Sequence, residues 1–159
     1  EEVKMNGVST INITEEITLI TLSNIPCDQG LTASVLCSFA QEGINIDMIS
    51  QSAPLGNTVN VSFTVNGEDM VKTLRIINSF REAYPAARPM VNSSNCKIQL
   101  YGEEMRTTPG VAAAALQAAA QAAPGEIMLI TTSEVDISLL VPHSHAQDVA
   151  QALKGEFSL

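Results

Sequence analysis

A helix-to-strand junction occurs twice in this chain, and it constrains the fold more than any other feature. At Gly43-Ile44-Asn45-Ile46-Asp47-Met48-Ile49-Ser50-Gln51 an apolar helix ends on a glycine suited to a left-handed C-cap, and an apolar strand starts almost at once. A weaker copy follows later, Pro124-Gly125-Glu126-Ile127-Met128-Leu129-Ile130-Thr131-Thr132-Ser133-Glu134. Two copies of one small unit of helices and strands is the simplest reading. Such a corner is also where a small ligand can sit.

The elements around the first junction fall into a recognisable order. Val3 to Ile13 reads as a strand, broken near Gly7, and Ile17 to Leu22 as a second, apolar on both faces and so central in a sheet. Leu31, Val35, Leu36 and Phe39 have helical spacing over Leu31–Gln41. Ile44 to Gln51 and Val59 to Val65 form a hairpin across the turn Ala53–Asn57. Asn66 caps a second helix whose stripe is Met70, Val71, Leu74, Ile77 and Phe80. A short extended piece around Pro89–Val91 then leads into the polar turn Asn92–Asn95. This is β-α-β-β-α-β, the ferredoxin-like order.

The order restarts with a strand at Cys96–Tyr101, a loop to Gly110 and an alanine-rich helix over Val111–Ala123. Strands follow at Ile127–Ile130 and Val135–Val141, then a helix with a capping box at Ser144 and Gln147 and a stripe of Ala146, Val149, Ala150 and Leu153. Too little chain remains for a fourth strand. Either residues 3–13 supply it, so that the first unit is inserted in the second, or Glu156–Leu159 forms a stub strand. The first solution is preferred. It gives an α+β fold of two ferredoxin-like βαββαβ domains, one over residues 15–93 and the other over residues 1–14 and 94–159.

Composition narrows the function. The 159 residues suffice for one domain or two small ones, and with no Trp and 4% aromatics the cores must be aliphatic. A net charge of −9 argues against nucleic acid or an anionic membrane bound through a basic patch. It leaves open a phosphorylated partner held by backbone groups. No apolar run reaches the roughly 18–20 residues of a membrane span. The start, Glu1-Glu2-Val3-Lys4, has neither the pattern of a signal peptide nor an initiator Met, and the chain is read as a piece of a longer protein. Cys27, Cys37 and Cys96 fit neither a disulfide framework nor a zinc site, so a reducing, cytoplasmic location is expected, with Cys37 on the core face of its helix.

Several stretches, in the right order, resemble a known family. Gly43–Gln51 looks like the signature of ACT domains in aspartate kinases. Met105-Arg106-Thr107-Thr108-Pro109-Gly110-Val111-Ala112-Ala113 is similar to the loop and helix start of that enzyme's second ACT domain, and Thr131–Ser138 to its next strand pair. The closing Ala152–Leu159 also fits. The resemblance implies a tandem of ACT domains, the first inserted in the second. These would bind a feedback effector, lysine or threonine, form a homodimer and act on a kinase domain or catalytic subunit. ATP and magnesium would belong to that kinase part. No glycine-rich, lysine-containing phosphate loop occurs in these residues, so the chain is not expected to phosphorylate aspartate alone.

The resemblance also implies site residues. A small amino acid needs donors for its carboxylate, which the free N–H groups of a helix start supply. Those would come from Gly30, Leu31 and Thr32, with Asp28 and Gln29 just before. Asn45, Ile46 and Asp47 begin the following strand and Gln51 lies further along it; Asp47 can accept from an ammonium, and Asn45 and Gln51 can fix orientation. Read as residues alone, Asn45 and Gln51 instead satisfy a turn and a sheet edge. Cys27 and Thr32 depart from the family pattern. So does Glu126-Ile127-Met128, which marks the second junction as structural, although Ser133 and Glu134 can still reach a ligand or a partner chain. His143 and His145 read as surface residues and Arg106 as part of a solvated loop. No catalytic or metal site is expected. Two other readings stay open: a free-standing ACT protein regulating another enzyme, and a purely structural dimerisation module.

Overall fold

The computed structural model describes residues 7–27 and 30–159. The start of the expected first strand, with Val3 and Met5, and the candidate residues Asp28 and Gln29 lie outside the described residues. The chain divides into two compact units: Glu16–Ser94, and residues 7–15 together with Asn95–Leu159.

The first unit contains part of β1 (Thr10–Pro26), α1 (Leu31–Gln41), β2 (Ile46–Gln51), β3 (Thr58–Asn66), α2 (Met70–Ala83) and the first part of β4 (Arg88–Tyr101). Its strands lie in the order β2-β3-β1-β4. β3 runs antiparallel to both β1 and β2. Ile20, Leu22, Val61 and Phe63 face Val35 and Phe39 of α1 and Ile77 and Phe80 of α2 in one apolar core. Phe39 and Phe63 meet edge to face, with centroids 5.1 Å apart.

The second unit takes the end of β4, then α3 (Val111–Ala122), β5 (Leu129–Thr132), β6 (Asp136–Pro142) and α4 (His143–Phe157). Its strand order is β1-β4-β6-β5, with the leading residues of β1 at one edge. The Ser9 amide donates to the Tyr101 carbonyl at 2.7 Å, and Val8, Ile11 and Ile13 pack on the same core as Ile98, Leu139, Ala115 and Leu153. The alanines of α3 suit this packing, because Ala115 and Ala119 are fully buried and leave room for the facing elements.

Several expectations are corrected. The two strands read before Leu22 are one, because Glu16 takes a left-handed conformation (φ 59°) within β1. Ser94 (φ 62°) does the same in β4, where a polar turn was expected to separate two strands. The charged and polar residues at these points break the hydropathy pattern without ending the strand. Ser144 does not cap α4, which starts one residue earlier and has no side-chain cap. The tail forms no stub strand: α4 continues to Phe157, whose ring is buried.

Cys37 is exposed, since Leu31, Val35 and Phe39 define the buried face of α1 and position 37 falls roughly opposite. On α2 the buried arc is Thr73, Ile77 and Phe80, which leaves Val71 72% and Leu74 43% exposed. Asn66 acts as expected, its Oδ1 accepting from the Glu68 amide at 3.0 Å, although the first turn is a 3₁₀ turn over Gly67–Asp69.

Candidate functional site

The first junction closes as its sequence suggests. Gly43 has φ 72°, the Ile44 amide reaches back to the Phe39 carbonyl (3.0 Å), and the Gly43 amide reaches the Ala40 carbonyl (3.0 Å). These are the paired bonds of a Schellman turn, with Ile44 buried beside Phe39. The chain then reverses and β2 runs back along α1. A bulge follows at once, because the β2–β3 register shifts between Ile46 and Ile49. The Met48 amide donates instead to Thr64 Oγ1 at 3.0 Å, which explains why a threonine is buried in β3.

This reversal separates the candidate residues into two groups. Gly30, Leu31 and Thr32 open α1, and Thr32 Oγ1 donates to Gln51 Oε1 at 3.0 Å. Gly30 is left-handed (φ 61°) and offers no side-chain cap, so the first amides of α1 have no acceptor within the helix. Asn45, Ile46 and Asp47 stand at the other end, beyond the last turn of the same helix. The eleven residues of α1 put the two groups roughly 15 Å apart. One amino acid cannot bridge them within a single copy of this unit. Asn45 and Asp47 are exposed, and Ile46 is half-buried.

The second unit holds a cavity of about 450 Å³ at the start of α3, lined by Arg106, Thr108, Gly110, Val111, Ser133 and Glu134 among others. Gly110 (φ 91°) opens α3 as Gly30 opens α1, again without a side-chain cap. Arg106 spans the rim: its Nη1 donates to Glu134 Oε2 at 2.5 Å and its Nε to Glu103 Oε2 at 3.3 Å. Glu103 also accepts from the Tyr101 hydroxyl at 2.7 Å. That bond, then the bond from Arg106, holds the Glu103 carboxyl below its usual range, while the same carboxylate pushes the Tyr101 phenol up.

Ser133 is committed within its own turn. Its hydroxyl donates to Asp136 Oδ1 at 2.5 Å and accepts from the Val135 and Asp136 amides at 3.2 Å. This bond, and a second from Gln99 Nε2, depress the Asp136 carboxyl. Ser133 and Glu134 therefore both line the cavity, with the Ser133 proton held by Asp136 and Glu134 held by Arg106.

Sequence reasoning placed Arg106 in a solvated loop and did not single out Thr108 or Val111 as lining residues. The available signal was Gly110 before a helix, the same device as Gly30. Among the described residues no three metal-ligating side chains cluster, and no helix is long and apolar enough to cross a membrane. His143 Nδ1 lies 3.4 Å from the buried Cys96 thiol.

An ACT domain family model matches residues 23–79 and 98–157, one stretch around each junction. The chain belongs to the ACT domain family. Among curated proteins, the aspartokinase of Geobacillus stearothermophilus is 29% identical over 162 residues, covering all of this ACT chain and 39% of that protein. The aspartokinase of Corynebacterium glutamicum is 29% identical over 161 residues, with 37% of its length covered. This ACT chain thus spans well under half the length of these relatives. Among solved structures, the ligand-free regulatory subunit of aspartate kinase from Thermus thermophilus matches with a TM-score of 0.85 at 27% identity, over 96% of this chain and 99% of that one. Aspartate kinase from Synechocystis gives 0.86 at 26% identity, over 97% of this chain and 27% of that one.

Proposed function

We propose that this chain is the regulatory region of an aspartate kinase, present either as the end of the enzyme or as a separate regulatory subunit. Its ACT pair would bind a small amino acid, lysine or threonine, as a feedback signal and pass it to a kinase domain or catalytic subunit in the same compartment, the cytoplasm. The observation that carries this reading is the likeness to the Thermus thermophilus regulatory subunit, over 96% of this chain and 99% of that one. Phosphoryl transfer from ATP with magnesium is assigned to the kinase part.

The geometry supports binding between two copies. The Gly30–Thr32 and Gln51 group and the Asn45–Asp47 group occupy opposite ends of one unit, so a single ligand meets both only when two units face each other. A carboxylate would take the first amides of α1, and Asp47 of the other copy would take the ammonium. A homodimer is therefore part of the proposal, and the exposed Ile49 on the edge strand β2 and Ile130 on the edge strand β5 suit such pairing. The effector acts by binding the inhibited state more tightly than the active one.

Calorimetry on the dimer, with lysine, threonine and methionine in turn, is the test. Saturable heat with lysine or threonine is expected. No heat with any of the three, in a preparation shown to be dimeric, would leave only a structural dimerisation module.

A further inference from the structure

A second polar feature of the first unit is not used by this reading. The β1–β3 register shifts between Leu22 and Ile25, which marks a bulge at Ser23 and Asn24. Asn24 adopts φ 61°, a conformation asparagine tolerates better than most residues. The bulge takes the Asn24 amide out of the ladder, and Asn60 Oδ1 accepts it at 3.0 Å. Asn24 Nδ2 in turn donates to the Ala86 carbonyl at 3.0 Å, and the Asn60 amide donates to Ser52 Oγ at 3.0 Å. These three bonds fix the wall of a cavity of about 350 Å³ that includes Ser23, Ser52, Asn60 and Arg88 in its lining.

Several donors in that wall remain unused. The bond accepted by Asn60 Oδ1 from the Asn24 amide orients the side chain and leaves the two N–H groups of Nδ2 to donate. Ser52 Oγ already accepts, which leaves its O–H to donate. Arg88, at the start of β4, forms no ion pair with a described residue, and the described lining residues include no carboxylate. An unpaired guanidinium beside amide and hydroxyl donors, in a chain of net charge −9 with only 8 basic residues, is an arrangement that complements an oxyanion. Three backbone or side-chain acceptors have been consumed in building it.

We propose that the Asn24 bulge, Asn60, Ser52 and Arg88 form a binding site for a small oxyanion, a phosphate or a carboxylate group, on the first unit. Arg88 would supply the charge and the Asn60 amide and Ser52 hydroxyl the directional bonds.

The test is a titration of the whole isotope-labelled chain by NMR, with inorganic phosphate and with acetate in separate arms at constant ionic strength. Saturable shifts at Ser23, Asn24, Thr58 and the Asn60 side chain are expected with at least one anion, and the arm that saturates names the group. Arg88→Gln removes the charge and is expected to weaken binding about tenfold to a hundredfold, the worth of a charged hydrogen bond. Asn60→Asp keeps an oxygen to accept the Asn24 amide, so the bulge survives, but it places a carboxylate in the wall and should abolish binding. Arg75→Gln, on α2, should change nothing. The proposal is overturned if neither anion saturates, or if Arg88→Gln binds as wild type does. It is also overturned if Arg75→Gln weakens binding equally, which would mean unspecific attraction to surface cations.

Discussion

Gly102→Ala is the substitution that most directly tests how the second unit is completed. Gly102 is buried at the end of β4 with φ −172°, an extended conformation that alanine adopts without strain. The obstacle is space. An added Cβ would overlap the Gly7 carbonyl oxygen, and would sit 2.8 Å from its carbon and 3.0 Å from Val8 Cα. All three are backbone atoms, so no rotamer change relieves the clash. Residues 7–9 must move away by about 1 Å or more to restore a normal carbon–oxygen contact.

That movement breaks the bonds from the Ser9 amide (2.7 Å) and Ser9 Oγ (3.0 Å) to the Tyr101 carbonyl, each contributing about 1 kcal/mol. It also opens buried Val8 to water, for a further part of the roughly 1.5–3 kcal/mol of a buried aliphatic side chain. The expected loss is about 2–4 kcal/mol. Gly125→Ala is the control: it meets nothing within 4 Å but has φ 75°, so it should cost only the left-handed penalty of about 1–2 kcal/mol. Urea unfolding followed by circular dichroism gives the energies, and hydrogen exchange at Ser9 locates the damage. A Gly102→Ala protein within about 0.5 kcal/mol of wild type, with Ser9 still protected, would refute the argument that residues 7–9 lock onto the end of β4.

Other substitutions test the site geometry. Thr64→Val strips the acceptor from the Met48 amide inside the core and should cost about 1–3 kcal/mol in chemical denaturation. Phe39→Ala empties the centre of the first core and removes the partner of Ile44, with an expected loss of about 3–5 kcal/mol; a smaller loss would mean the Schellman corner holds without it. The Asp136 carboxyl is depressed below its ordinary value of 3.8, chiefly by the Ser133 hydroxyl. The unfolded chain therefore binds a proton more readily, so this contribution is full above that value and lost as pH falls through the lower folded one. Ser133→Ala should flatten the acid limb of a stability–pH curve, and an unchanged limb would show that Ser133 does not set the carboxyl's affinity for protons. Thr32→Val breaks the bond to Gln51 at the start of α1; the reading above expects weaker effector heat with little change in melting temperature.

Legibility followed the distance over which each feature is decided. The bounds of α1, its glycine stop, the β2–β3 hairpin and the Asn66 cap are set by residues within a few positions of one another, and hydropathy period and turn chemistry expose such features directly. The ACT resemblance rested on the same local stretches. Failures came where a local pattern had two outcomes. Val71 and Leu74 are apolar and helical in phase with Met70, yet the sheet meets the side of α2 that carries Thr73. Glu16 and Ser94 look like breaks but are left-handed residues inside strands that neighbouring strands hold in place.

The amino-acid sequence by itself determined that this chain repeats a small unit of helices and strands and that the helix of the first junction stops on a glycine before its strand; the aliphatic cores expected from the composition hold Phe39, Phe63 and Phe80 at the centre of the first unit. The periods of 3.6 and 2 and the αL preference of glycine are properties of the chain, independent of what packs against it. Only the tertiary structure decided which candidate residues share a place. It put Thr32 with Gln51 and set Asn45 and Asp47 at the far end of α1. It brought Arg106 to Glu134 across the cavity at the start of α3, residues 28 positions apart, and closed the Asn24 bulge with Asn60. Those pairings depend on strand register and on the reversal of β2 along α1, and register is fixed by cross-strand contacts that no local pattern encodes.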